Sequence, residues 1–173
     1  MAGETTPKIG NERKFLVRWI PLEIVTANYT QIQQGYMAIN SDGTELRLRR
    51  THAGTSRKFT YSQTDNTFPD LRRQRGPERP VSKKLFEESW FLTEGSQIGK
   101  VRYEIPITPP FVAELDLFTG SLAGRHLVEV ELPAEVSWDE FSQPAWFGLE
   151  VTLDDRFKDQ QLAIHGWPEE PIA

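Results

Sequence analysis

Hydrophobic and polar residues alternate along much of the chain, with the two-residue period of a β-strand that has one apolar and one polar face. In the stretch NERKFLVRW, residues 11–19, Phe15 and Val17 share one face while Glu12 and Lys14 share the other. Similar patterns follow at residues 32–39, 44–50, 57–63, 99–107, 111–118 and 126–132, with a weaker one at 71–78. The alternation therefore predicts about eight strands.

Turn-forming residues and helical patterns lie between these strands. Residues 40–43 and 53–55 have turn chemistry, so residues 31–63 are predicted to form a meander of hairpins. Helical patterns occupy residues 21–28, 82–92, 137–148 and 156–166. Ser82 is a candidate N-cap of the second, and Gly166 ends the last. Many strands with few helices predict an α+β fold built on an antiparallel sheet or barrel.

Composition narrows the class of protein. The chain has 173 residues, the size of one domain, and we expect a disordered N-terminus at residues 1–8 and a single domain at residues 9–173. No apolar run is long enough to cross a bilayer, and the absence of cysteine fits a reducing compartment, so we predict a cytoplasmic protein with no membrane partner. A net charge of −5 argues against a nucleic-acid partner. The basic residues from 71 to 84 are expected to form an exposed loop.

Several predicted strands carry charges sorted by sign on their polar faces. The basic residues are Arg47, Arg49, Lys100 and Arg102, and the acidic residues are Glu114, Asp116, Glu129 and Glu131. For each strand alone, a solvated face over a core face explains the pattern. If amphipathic helices cover the apolar side of a closed sheet, the charged faces instead line a wet tunnel. Lys and Arg bind phosphate oxygens and carboxylates bind Mg²⁺ or Mn²⁺, so such a tunnel suits a polyanion carried with a divalent metal.

Short motifs from about Ile9 to Ala163 carry a family resemblance. Gly10, Glu12 and Lys14 occupy the places of an E-x-E-x-K motif, and IQQGY follows at residues 32–36. Later motifs are R-x-R at residues 47–49, K-x-R-Y at 100–103, ELDLFTGSLAGRHLVEVEL at 114–132 and PAWFGLEVTLDDRF at 144–157. In their order and spacing these motifs resemble those of the CYTH, or triphosphate tunnel metalloenzyme, superfamily. That superfamily includes class IV adenylyl cyclases, thiamine triphosphatases and inorganic triphosphatases.

The resemblance implies an eight-stranded antiparallel barrel that forms a tunnel, with helices packed on the outside. It implies a phosphorylated small-molecule substrate bound by Lys14, Arg47, Arg49, Lys100 and Arg102. It also implies Mg²⁺ or Mn²⁺ held by Glu12, Glu129 and Glu131. Glu12, Lys14 and Tyr36 are the expected catalytic residues, and Glu114, Asp116 and Glu78 are further candidates for lining the tunnel.

Some positions depart from the family pattern. Gly10 replaces the first acid of the opening motif, and Ser62 stands where the fourth strand commonly has a lysine. Lys58 shares the face of Ser62 in an extended strand and is a candidate replacement. Three hypotheses follow: a metal-dependent hydrolase of a triphosphate or related polyphosphate ester, a tunnel protein that binds a phosphorylated ligand without turnover, or an enzyme with altered chemistry on a diphosphate-bearing substrate.

Overall fold

One antiparallel sheet organises the chain. The computed structural model describes residues 11–39, 45–65, 74–75 and 78–169. Within these residues the strands are β1 (Glu12–Val17), β2 (Asn28–Ile39), β3 (Glu45–Ala53), β4 (Ser56–Asp65), β5 (Gln74–Arg75), β6 (Arg79–Pro80), β7 (Gln97–Pro106), β8 (Val112–Phe118), β9 (His126–Glu131) and β10 (Phe147–Glu150). Their order is β10-β1-β9-β8-β7-β2-β3-β4-β5, and β6 also pairs with β4. The predicted meander of residues 31–63 is confirmed as β2, β3 and β4, whereas Gly10 and the predicted disordered tail lie outside the described residues.

The predicted eight-stranded closed barrel is corrected in two respects. The described part of the chain has ten strands: within the predicted fifth strand at 71–78, most of which lies outside the described residues, only β5 is seen, while β6 follows it and β10 forms at residues 147–150. The hydrogen-bonded path also runs from β10 to β5 without closing among these residues. β5 and β6 each have only two residues, and Pro80 lacks the amide hydrogen that would extend a ladder. An α+β antiparallel sheet with an open path is therefore what the structure has.

The two faces of the sheet separate as the alternation predicted. Residues directly opposite each other in an antiparallel ladder share a face, and Glu129 lies opposite both Lys14 and Glu114. We call this side the charged face; it carries Glu12, Lys14, Gln34, Tyr36, Arg47, Arg49, Ser62, Lys100, Arg102, Glu114, Asp116, Glu129 and Glu131. The other side holds a buried cluster of Phe15, Ile105, Phe111, Ala113, Leu115, Val128, Val130, Trp146 and Phe147. The hydrophobic core thus lies behind the charged face, and β1, β7, β8 and β9 contribute side chains to both.

Helix α1 (Lys83–Ser89) covers the apolar side of β4. Its predicted N-cap is confirmed, because the Ser82 hydroxyl oxygen accepts a hydrogen bond from the Leu85 amide at 3.1 Å. Phe86 is buried against Phe59 of β4, and Trp90 stacks on Phe86. This helix lies on the outside of the sheet, as predicted.

The helical predictions for residues 21–28 and 137–148 are wrong in extent. The first segment forms only a short 3-10 turn at Leu22–Val25, and the second forms one at Trp138–Glu140 before entering β10. The second turn begins with a capping box between Ser137 and Glu140. Pro144 then restricts the chain, which continues as a strand.

Helix α2 (Asp159–His165) ends at Gly166 as predicted, with φ of 78° at that glycine. Its position, however, contradicts the prediction that the helices pack outside. Leu162 of α2 and the preceding Phe157 pack with Ile98, Phe118, Leu127 and other residues of a second buried cluster. Phe118 and Leu127 lie opposite Lys100 and Asp116, so this cluster belongs to the charged face. One part of the charged face is therefore apolar, and α2 packs against it because removing apolar side chains from water is favourable.

The sheet curves around the segment that leads into α2. The Lys14 ammonium on β1 donates to the Phe157 carbonyl at 3.1 Å, and the Gln34 amide on β2 donates to the Asp159 carboxylate at 2.7 Å. Strands β9, β8 and β7 lie between β1 and β2, so a flat sheet would hold these strands roughly 19 Å apart. Residues 157 and 159 are only two positions apart in sequence, so β1 and β2 contact the same short segment. The charged face is therefore concave.

No helix among the described residues is both long enough and apolar enough to span a membrane.

Candidate active site

Lys14 and Glu129 form a buried ion pair on the charged face. The Lys14 Nζ atom lies 2.8 Å from Glu129 Oε1, and their side chains are 9% and 6% exposed. Burial by itself would lower the pKa of Lys14, but the carboxylates of Glu129 and Asp159 outweigh it and raise the pKa. Lys14 is therefore a fixed cation at neutral pH.

Arg102 joins three carboxylates from two strands. Its guanidinium donates to both oxygens of Asp116 at 2.7 Å and to Glu129 Oε2 at 2.8 Å, and it also contacts Glu114. These carboxylates keep the pKa of Arg102 above its ordinary value although burial opposes the shift. Burial raises the pKa of Glu114, and the nearby Glu129 and Asp116 add to this despite Arg102. The network holds opposite charges at contact distance, with Asp116 and Glu129 buried and Glu114 partly exposed.

Lys100 lies between two acids. Its ammonium donates to Asp116 Oδ2 and to Asp159 Oδ2, each at 2.7 Å, and the lysine is 2% exposed. Asp116 comes from β8, whereas Asp159 is the first residue of α2. Lys100 thus links the sheet to the helix.

Arg47 and Arg49 lie side by side on β3 and share one partner. Both guanidinium groups donate to Glu78 Oε1 at 3.1 Å. Arg49 also donates to the Gln34 side-chain oxygen at 3.0 and 2.9 Å, and the Gln34 amide donates to the Tyr36 hydroxyl at 3.0 Å. Burial and the Asp159 carboxylate raise the pKa of Tyr36, so its phenol stays protonated at neutral pH. Glu78, which is 40% exposed, is the outermost group of this cluster.

Ser62 brings a buried hydroxyl to the place where the family commonly has lysine. Ser62 lies opposite Arg47 and is 2% exposed. Within the described part of the chain, neither the Ser62 hydroxyl nor the Arg47 Nε atom has a hydrogen-bond partner. Buried donors without a partner are costly, and an anion oxygen would satisfy both.

Lys58 does not lie at the position of the missing lysine. It lies opposite Thr51 and is exposed, four residues along β4 from Ser62. Four residues of strand span roughly 13 Å, which is more than a lysine side chain bridges. Lys58 lies on the same side of β4 as Ser62 but nearer the hairpin that joins β3 to β4.

Two residues that the sequence did not single out belong to this site, Gln34 and Asp159. Gln34 is fully buried and contacts Arg49, Tyr36 and Asp159. It lies within the IQQGY motif, so that motif contained the signal. Asp159 has only the signal of an acid in the first turn of a helix, which is usually a surface feature.

The acids of the charged face fit a divalent cation that arrives with a ligand. Glu12 lies directly opposite Glu131, and Glu114 directly opposite Glu129. Like charges in such pairs destabilise a sheet. Arg102 offsets this cost between Glu114 and Glu129, and a bound cation would offset it between Glu12 and Glu131. Among the described residues, no group of three or more Asp, Glu or His side chains is placed to hold a metal ion by itself. Mg²⁺ commonly takes its remaining ligands from water and substrate phosphate.

The geometry brings the predicted site residues together on one concave face. Cations from three strands, Lys14, Arg47, Arg49, Lys100 and Arg102, are buried or half-buried there, and their positive charge is partly neutralised by acids. Glu131 is exposed at the margin, and Glu12 is half-buried beside it. Such an arrangement can bind a short polyanion and stabilise charge that develops on it.

Comparison with known proteins identifies relatives of this chain. No family model matches it. It is 39% identical over 153 residues to a protein named inorganic triphosphatase from Nitrosomonas europaea, covering 88% of this chain and 95% of the relative. A second inorganic triphosphatase, from Acetivibrio thermocellus, is 38% identical over 72 residues, covering 42% of this chain and 44% of the relative. The crystal structure of the inorganic triphosphatase NE1496 superposes with a TM-score of 0.67 at 35% identity, covering 88% of this chain and 93% of that one. The chain belongs to the CYTH, or triphosphate tunnel metalloenzyme, superfamily.

Proposed function

We propose that the protein is a divalent-metal-dependent phosphohydrolase that acts on inorganic triphosphate. The observation that carries this proposal is the convergence of buried and half-buried cations from three strands beside the acids of β1 and β9 on one concave face. The names of the relatives, both inorganic triphosphatases, support the same reaction. We further propose that the concave face acts as a tunnel in which the phosphate chain lies.

Binding would rest on the arginines of β3 and the lysine of β1. Arg47 and Arg49 share a single carboxylate, Glu78, which is partly exposed and can move away when phosphate oxygens replace it. The Arg47 Nε atom and the Ser62 hydroxyl, which have no hydrogen-bond partner among the described residues, favour an anion in the same place. Guanidinium groups bind phosphate in bidentate fashion, which orients the chain as well as neutralising it.

Hydrolysis would combine these cations with a metal ion, Mg²⁺ or Mn²⁺. Glu12, Glu129 and Glu131 are the residues that would hold it, and when bound it would neutralise phosphate oxygens and acidify a water molecule. Lys14 and Arg102 remain charged at neutral pH and would stabilise charge on the transferring phosphoryl group. Tyr36 remains a protonated phenol and would donate a hydrogen bond to a phosphate oxygen.

Two alternative functions, ligand binding without turnover and altered chemistry on a diphosphate-bearing substrate, differ from this proposal in the reaction they predict. A protein that binds a phosphorylated ligand without turnover would use the same cations, but the names of the relatives favour hydrolysis. Nothing described in the structure favours altered chemistry on a diphosphate-bearing substrate. A cytoplasmic location stays a prediction from the sequence.

The test is phosphate release from inorganic triphosphate, ATP and thiamine triphosphate, each with Mg²⁺, with Mn²⁺ and with a chelator. We expect release from inorganic triphosphate to exceed release from the organic triphosphates and to stop with the chelator. Calorimetric binding of triphosphate with no release under either metal would overturn the proposal in favour of the binding protein.

A further inference from the structure

The carboxylate of Asp159 lies among the polar and cationic side chains of the charged face. Its Oδ2 atom accepts hydrogen bonds from Lys100 Nζ and from Gln34 Nε2, each at 2.7 Å. Its Oδ1 atom is buried without a hydrogen-bond partner among the described residues. Two residues earlier, the Phe157 carbonyl accepts from Lys14. The segment 157–159 therefore presents oxygen acceptors to donors on three strands.

This segment is held in place by apolar packing. Phe157 and Leu162, on either side of Asp159, are each 1% exposed and belong to the second buried cluster. Trp167 adds a ring contact to Phe157 beyond the end of α2. Displacing Asp159 from Lys100 would pull these side chains out of their cluster and expose apolar surface to water. The Asp159 carboxylate is therefore fixed in position on the concave charged face.

A fixed negative charge in this place affects phosphate chains by their length. The chain is repelled by the Asp159 carboxylate, and Lys100, already paired with Asp116 and Asp159, offers it little net attraction. Lys14, Arg47, Arg49 and Arg102 are also paired with acids, but the ion pairs described for them are with carboxylates other than Asp159, so they can bind a chain that stops short of Asp159. These cations favour a short phosphate chain, because a longer chain that reaches Asp159 is repelled by its carboxylate.

We propose that Asp159 is a specificity-determining residue that limits the length of the phosphate chain the charged face accepts, so that the protein favours inorganic triphosphate over longer linear polyphosphates. This inference rests on the proposed function, which it deepens. Specificity here comes from a repulsive element against the longer substrate as well as from contacts to the shorter one.

The experiment compares kcat/KM for triphosphate and linear tetrapolyphosphate at fixed free Mn²⁺. The wild-type chain should favour triphosphate, and Asp159→Asn should raise the tetrapolyphosphate-to-triphosphate ratio about tenfold, since like-charge contacts commonly cost that much or more. Asp155→Asn is the matched control, because Asp155 lies on the preceding turn and is 76% exposed. It should leave the ratio unchanged.

A purely structural role for Asp159 would lower both rates together and leave the ratio where it was, which would overturn the proposal. A wild-type enzyme that hydrolyses both substrates equally well would also overturn it, and this measurement needs no variant to fold. If the wild type releases no phosphate from either chain, the proposed function fails separately. The inference is then decided by calorimetry: tighter binding of triphosphate than of tetrapolyphosphate supports it, and equal affinities refute it.

Discussion

Lys14 and Glu129 face each other on β1 and β9 with their charged atoms 2.8 Å apart, although both side chains are almost completely buried. Taking two charges out of water is costly, and their mutual attraction offsets that cost only while both are present. Glu129 also accepts from Arg102, so its loss would leave two buried cations with one carboxylate fewer. The pair supports the fold as well as the proposed metal site.

We therefore expect Glu129→Gln to lower the free energy of unfolding by about 3–5 kcal/mol, the usual effect of breaking a buried pair. Urea denaturation of the metal-free protein measures this. Glu131→Gln is the control, because Glu131 is an exposed acid on the same strand, and its stability should change by less than about 0.5 kcal/mol. Equal stabilities for the two variants would show that the buried pair contributes nothing. Both variants should weaken the Mn²⁺ dependence of phosphate release.

Arg49 and Arg50 are neighbours on β3 that point to opposite faces. Arg49 lies on the charged face with Gln34 and Glu78, whereas Arg50 contacts Gln33 and lies over the ring of Phe86. We expect Arg49→Ala to weaken triphosphate binding by about 1.5–3 kcal/mol for each charged hydrogen bond lost. Arg50→Ala removes an equal charge from the same strand and should leave affinity unchanged. Calorimetric titration distinguishes them, and equal losses would mean that net charge alone attracts the ligand.

Ser62 allows a test of the lysine that this chain lacks. We expect Ser62→Lys to lower the melting temperature without ligand, because the new ammonium would lie opposite Arg47 in a buried place. Triphosphate should then raise the melting temperature of the variant more than that of the wild type, since a ligand that binds more tightly stabilises the folded state more at the same concentration. A smaller ligand-induced rise in the variant would show that no phosphate lies beside residue 62.

The pH dependence of stability should report Asp159. Burial opposes ionisation of this carboxyl group, but Lys100 and Lys14 hold its pKa well below the usual range. The unfolded chain therefore binds a proton at a pH where the folded chain does not, so Asp159 stabilises the fold above about pH 4 and loses this effect as pH falls further. The difference in unfolding free energy between wild type and Asp159→Asn should be largest near pH 6 and shrink toward pH 3. A difference that stays constant over this range would contradict the ion pairs with Lys100 and Lys14.

The alternation of residues determined much of this protein without tertiary information. A strand has two faces whatever it packs against, so the separation of Lys14 and Arg102 from Phe15 and Val101 could be predicted from spacing alone. Local chemistry likewise determined the ends of the helices at Ser82 and Gly166. The order of short motifs located the cations and acids of the site.

Only the tertiary structure decided where α2 lies and which groups meet there. Its sequence predicts an amphipathic helix, but an apolar stripe does not specify which apolar surface it covers. Leu16, Ile98, Phe118 and Leu127 come from four strands and form that surface only when the sheet curves. The approach of Asp159 to Lys100 and Gln34 follows from this packing, because contacts between residues distant in sequence depend on how whole elements fit together. The alternation within each strand therefore determined the two faces of the sheet. Long-range packing decided that the charged face curves around α2 and contacts the Asp159 carboxylate.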